Sequence, residues 1–238
     1  MQLGYIECYH AFHLVPDHME DSVAWHQLLK QKYDADGSDQ SASISTAKFD
    51  TILGDCMAIS DIPTVMFGPE LIAAYPSAKV ILNRRRDVQA WKRSFRETVY
   101  TAITSRMMRF SSFFDTKLFW MNRMALKILQ ELFHGDFEGN AEQAYVEHYQ
   151  RLENVLQKSG RSYLRWGVEE GWQPLCEYLE KPVPDGQEFP NGNAPKEHDE
   201  RVKVVLGARF RNAFTNAGIF FGTIIVVVVS MAIAVRSR

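Results

Sequence analysis

The spacing of apolar residues along this chain switches most sharply within residues 75–100, YPSAKVILNRRRDVQAWKRSFRETVY. Residues 79–82 form a short, partly β-branched run between Pro76 and a block of charge, the pattern of a strand buried in a parallel sheet. From Asp87 the period becomes helical: Val88, Trp91, Phe95 and Val99 fall on one stripe, with Asp87 placed as N-cap. Residues 5–9, 58–60 and 162–166 read as further short strands. Residues 16–32, 48–53, 67–75, 141–156 and 171–179 read as helices. Pro16 opens the first of these, with Met19, Val23 and Leu28 or Leu29 facing inward, and Pro174 fits the last only in its first turn. Residues 106–133 are rich in Met and aromatic side chains at helical spacing; core is the expected use, and the walls of a hydrophobic pocket are the other.

Three stretches break this rhythm. Residues 34–45, crowded with Gly, Ser and Asp, read as a loop. Residues 182–200 hold four prolines and then a dense charge run, which predicts a linker over 191–208 after an α/β domain at 1–190. Within 209–238, residues 217–235 carry no charge and are bracketed by arginines, the length and flanks of a single membrane span.

Strand, basic turn and capped helix make an anion-binding arrangement, because a helix N-terminus presents unpaired N–H groups and the positive end of its dipole. Arg86 at the strand end and Ser94 two turns into the helix share the face of Asp87 and are placed to meet one phosphate. Arg84-Arg85-Arg86 also reads as a solvated corner, and Ser94 as a surface serine. Asp61, in Ser60-Asp61-Ile62-Pro63, stands where open α/β sheets place ligands; it reads as a general base or as the cap of the next helix. Asp55 reads as structural. His10, His13 and His18 lie close in sequence, but a loop and Pro16 separate them and no carboxylate or Cys completes a ligand set, so no metal site is expected.

Arg86-Asp87-Val88 with Trp91 and Ser94 resembles the segment with which sulfotransferases grip the 3′-phosphate of the sulfate donor 3′-phosphoadenosine 5′-phosphosulfate, PAPS. Leu53-Gly54-Asp55 and Ser60-Asp61-Ile62-Pro63 upstream are similar to further motifs of a sulfotransferase-like branch of the P-loop proteins. So are Glu169-Glu170-Gly171-Trp172-Gln173-Pro174-Leu175-Cys176, Pro182-Val183-Pro184-Asp185 and Phe189-Pro190 downstream, all in the same order over residues 3–193. The resemblance implies a P-loop NTPase-like fold, a three-layer parallel sheet flanked by helices, with PAPS as co-substrate. It implies Arg86 and Ser94 on the 3′-phosphate, Asp61 as the base that deprotonates the acceptor hydroxyl, and Trp91 as core or adenine wall.

The sequence departs from that branch at its start. Members begin with a strand and a Gly-rich loop, G-x-x-R-T-G-T, whose amides cradle the phosphosulfate; this sequence opens at Met1-Gln2-Leu3-Gly4, and no G-x-x-x-x-G-K-[ST] occurs in it. The expectation is a fold lacking the first strand and P-loop. Sulfuryl transfer to a small hydrophobic alcohol or phenol is then expected to be weak or absent. The alternative is a non-enzymatic, tail-anchored scaffold that keeps the fold.

Composition acts by exclusion. With 27 Lys and Arg against 29 Asp and Glu, the net charge of −2 argues against nucleic acid as a main partner. Three cysteines, an odd total with no C-x-x-C spacing, read as buried reduced thiols. With no N-x-[ST] site and no cleavable leader in the sequence, the globular part is expected in the cytosol, tethered to a membrane near its C-terminus.

Overall fold

The computed structural model describes residues 3–34, 44–190 and 196–237. Most of the loop expected at 34–45, the start of the expected linker and the side chain of His13 lie outside the described residues.

The chain opens with β1 (Cys8–Tyr9), α1 (Ala11–Asp17), a 3-10 turn at Met19–Asp21 and α2 (Ser22–Tyr33). Then come α3 (Thr46–Leu53), β2 (Ala58–Ile59), a second 3-10 turn at Thr64–Phe67, α4 (Gly68–Ala74), β3 (Val80–Asn83) and α5 (Val88–Phe95). A π-helical turn at Arg96–Tyr100 leads to α6 (Thr101–Thr104), α7 (Arg106–Ser112), α8 (Thr116–Phe133) and α9 (Phe137–Lys158). Last are β4 (Tyr163–Trp166), a third 3-10 turn at Val168–Glu170, α10 (Trp172–Leu179) and α11 (Lys196–Arg236).

The result is a mostly helical α/β structure with small parallel sheets. β1 pairs with β2 in register Tyr9 to Ile59, and β3 pairs with β4 from Val80 against Tyr163 to Asn83 against Trp166. Among the described residues these are two separate two-stranded sheets, where one flanked sheet was expected. Strands of two and four residues carry few ladder bonds, and among the described residues each ribbon has two edges without a strand partner. Helices therefore bury most of the apolar surface. One core joins Tyr9, Trp25, Leu29, Phe49, Phe67 and Ile128; another joins Ile72 and Leu82 to Leu152 and Leu156 of α9.

Side-chain caps start the later helices as polar N-cap chemistry requires. Ser105, Asp115 and Asp136 accept from the third backbone N–H of α7, α8 and α9. Pro16 does not open a helix: it falls near the end of α1, which stops at Asp17 before the 3-10 turn redirects the chain. A proline inside a helix lacks its N–H and crowds the preceding turn, so an early stop follows.

The charged stretch read as linker is helical from Lys196 onward, and α11 runs for 41 residues. Its first half is docked: Val205, Leu206 and Phe210 pack with Met19, Met108, Leu118 and Met121, and Ala213 and Ala217 are buried. From Gly218 every described residue is exposed. The stretch Glu200–Arg236 is long and apolar enough to cross a membrane, with mean hydropathy 2.7 over its most apolar window.

Candidate functional site

The C-terminal ends of the two parallel pairs bring the chemistry-bearing side chains out. After β3 the basic corner is held rigidly by α9. The Tyr145 hydroxyl accepts from the Arg85 N–H (2.8 Å) and donates to the Arg85 carbonyl (3.1 Å), while Tyr149, one turn on, donates to the Asn83 carbonyl. Burial pushes the Tyr149 phenol well above its ordinary range, so it stays a neutral donor. The Arg84 N–H donates to the Trp166 carbonyl at 3.0 Å, and its guanidinium lies 5.0 Å from the Tyr149 ring centre. Arg84 and Arg85 are thus tied to the corner, which puts Arg86 at its outer end.

Arg86 is 77% exposed, and its Nε lies 2.5 Å from Oε1 of Glu169 in the turn that follows β4. Ser94 stands half-buried on α5. The partner the structure gives Arg86 is Glu169, not Ser94. Asp87 caps α5, its Oδ1 accepting from the Ala90 N–H at 2.9 Å. That carboxylate takes up the Ala90 N–H at the helix end which the sequence offered to an anion. Trp91 belongs to the core: its ring lies 4.7 Å from Tyr145 and 5.6 Å from Phe95.

The downstream motif folds around the end of β4. Glu170 accepts from the Gly167 N–H at 2.9 Å, and the Trp166 indole donates to the Gly171 carbonyl at 3.1 Å. Phe189 lies edge-on to both Trp166 (5.2 Å) and Trp172 (4.6 Å). This packing sets the turn from which Glu169 reaches Arg86.

At the other pair, Asp61 follows β2 with a left-handed φ of 65°. Its carbonyl accepts from Thr64 Oγ1 (2.7 Å) and Val65 N–H (3.0 Å), and the cap position of the 3-10 turn is Pro63. The carboxylate does not cap; its Oδ2 lies 3.7 Å from Nε2 of His10, and both side chains are partly exposed. Sequence reasoning weighed His10 only as a metal ligand. Register is the missing signal: Tyr9 opposite Ile59 sets His10 beside Ser60, and Asp61 follows at the next position with its left-handed φ. Asp55 is exposed.

The His18 ring packs 5.6 Å from Tyr9, and its Nδ1 lies 3.8 Å from Asp21 Oδ2. Among the described residues no three His, Cys, Asp or Glu side chains gather as a metal site. The Trp25 indole donates to the Tyr9 hydroxyl at 2.8 Å, which in turn donates to Asp21 at 3.2 Å. Burial raises the Asp21 carboxyl above its usual value, the Tyr9 hydrogen bond opposing the shift.

A family model described as "Sulfotransferase domain" matches residues 1–198. A curated relative, Ava biosynthesis cluster protein M of Aspergillus versicolor, is 32% identical over 181 residues, covering 72% of this chain and 66% of that protein. This chain therefore spans just under two thirds of that relative's length. With a match over most of its residues, from the His10–Asp61 edge through the Arg86 corner to Phe189, the chain belongs to the sulfotransferase-domain family.

Proposed function

We propose that this protein binds PAPS at the end of β3, with Arg86 and Ser94 on the 3′-phosphate, and transfers the sulfuryl group to a hydroxyl of a small hydrophobic alcohol or phenol. The observation that carries the reading is the corner itself: two tyrosine hydroxyls fix Asn83 and Arg85, and the next residue presents an exposed guanidinium at a parallel strand end. Glu169 engages the Nε–H, and a guanidinium has four further N–H donors for phosphate oxygens. The two ribbons are read as parts of a P-loop NTPase-like three-layer domain over 1–190, with 209–238 as its membrane anchor. An odd total of three cysteines with no C-x-x-C spacing supports a cytosolic position for that domain.

In the transfer, a bond forms between the acceptor oxygen and sulfur as the bond from sulfur to the phosphate oxygen breaks. The leaving phosphate keeps the electron pair, and the hydroxyl proton passes to Asp61, whose carboxylate His10 holds in place. Turnover by this chain is proposed to be low. Arg86 and Ser94 hold the 3′ end of the donor, whereas neutralising the phosphosulfate contributes several kcal/mol of barrier lowering and needs donors of its own.

A second reading, a tail-anchored scaffold that keeps the fold, is favoured by the Arg86–Glu169 pair, which gives Arg86 a structural partner. Calorimetry with adenosine 3′,5′-bisphosphate separates the two. Loss of charge-assisted hydrogen bonds of about 1.5–3 kcal/mol predicts that Arg86→Ala weakens binding by roughly 10- to 100-fold, with Asp61→Asn unchanged. No binding by the wild-type chain selects the scaffold. Labelled PAPS with a panel of hydrophobic alcohols and phenols then reads transfer directly.

A further inference from the structure

We infer that the edge of α7 beside α11, formed by Met107, Phe110 and Phe113, lies in the headgroup layer of an anionic bilayer, so that the domain rests on the membrane instead of hanging clear of it. This rests on the reading of α11 as a membrane span.

The argument is one of depth. Ala217 is the last buried residue of α11, and residues 218–235 are exposed and uncharged. Eighteen residues at 1.5 Å each give about 27 Å, close to the roughly 30 Å hydrocarbon core of a bilayer, so the core begins near Gly218. Yet the globular part does not stop there. The Phe114 ring contacts Phe220 at 6.0 Å and Phe221 at 5.9 Å, which lie about 5 Å further along the helix axis than Ala217. The Asn216 amide donates to the Phe114 carbonyl at 2.8 Å, and Phe110 packs 5.5 Å from Phe214, so the corner between α7 and α8 is fixed against α11 at that level. A bilayer that receives residues 218–235 must also receive this corner.

What the corner exposes suits that depth. Phe113 is 78% exposed, Met107 51% and Phe110 38%. Large apolar side chains left together in water mark a surface with a partner, and aromatic rings concentrate where bilayer meets water. Arg106 and Arg109 on α7 and Arg211 on α11 are exposed around the same edge, placed for lipid phosphates. Lys117 and Arg209, which also border the corner, are engaged by Glu20 (3.0 Å) and Asp115 (3.7 Å). The patch joins the candidate span without a gap, which selects lipid over a second protein copy as its occupant.

The test uses the full chain in phosphatidylcholine vesicles containing phosphatidylserine. In a Cys8→Ser, Cys56→Ser background, with the buried Cys176 left in place, an NBD fluorophore is attached at Phe113→Cys or at Val227→Cys. Lipids carrying a nitroxide at a shallow or a deep acyl position serve as quenchers. Quenching at 113 strongest from the shallow nitroxide, and at 227 from the deep one, supports the inference. Quenching at 227 with none at 113 overturns it and leaves the span standing. No quenching at 227 removes the span and the inference with it. Charge reversal of Arg106 and Arg109 to Glu is expected to reduce quenching at 113 by half or more without changing 227; an equal signal overturns the anionic preference.

Discussion

Trp25→Ala is expected to destabilise the protein by about 3–5 kcal/mol, the range for deleting a fully buried aromatic side chain that leaves a cavity. Trp25 is 0% exposed and lies between the rings of Tyr9 (5.9 Å) and Phe67 (5.5 Å). The indole is also a donor, and its loss leaves the Tyr9 hydroxyl without the hydrogen bond it receives. Two consequences follow from one residue. The core loses its central ring, and the end of β1, where His10 meets Asp61, loses what holds Tyr9. Urea unfolding monitored by circular dichroism gives the magnitude. Trp25→Phe, which keeps a ring and removes only the donor and part of the volume, is expected to cost about 1–3 kcal/mol. If the alanine variant costs less than about 1.5 kcal/mol, the network does not anchor the strand.

Trp25 also shows where the sequence is silent. Period alone placed Met19, Val23 and either Leu28 or Leu29 inside; Met19 and both leucines are buried, while Val23 is only half-buried. It gave no reason to single out Trp25, because its importance comes from a hydroxyl sixteen residues earlier in the chain. The strand at 79–82 and the cap at Asp87 were legible within one residue, since an apolar run, a charge block and an N-cap are local signals. The pairing of His10 with Asp61 and of Arg86 with Glu169 was not, because register and turn position bring those partners together across 51 and 83 residues.

The apolar content of 106–133 was read as core, and Met108, Met121 and Met124 obey. Met107, Phe110 and Phe113 do not. Helical spacing reveals that a face is apolar but says nothing of what covers it, and here the neighbour is the root of α11. The same helix takes in residues 196–208 of the expected linker. Among its charged residues stand Val205, Leu206 and Phe210, whose spacing puts one apolar face against α7 and α8.

The stability of the protein is expected to fall by about 2 kcal/mol between pH 7 and pH 5, and by about 3 kcal/mol by pH 4, through His148 alone. Burial first, and then the cations of Arg151 and Lys32, push its imidazole from the ordinary 6.5 down to about 4. Lys32 cannot turn away from it freely, since its ammonium donates to the Met66 carbonyl at 2.6 Å and pairs with Glu70 at 2.7 Å. A folded-state value below the unfolded one means that the unfolded chain binds the extra proton. Stability is therefore fully present above about 6.5 and declines as pH falls through the interval down to about 4. Unfolding free energies of wild type and His148→Gln at pH 4, 5, 6 and 7 isolate this contribution, because the carboxylates common to both cancel in the difference. The difference should shrink steadily toward acid and favour the variant by pH 4; two parallel curves would mean that the imidazole titrates normally. His148 sits on α9 between Tyr145 and Tyr149, so acid that loosens this helix also slackens the two hydroxyls pinning the Arg86 corner. The affinity proposed for adenosine 3′,5′-bisphosphate should then weaken below pH 6 in the wild type and hold over the same range in His148→Gln.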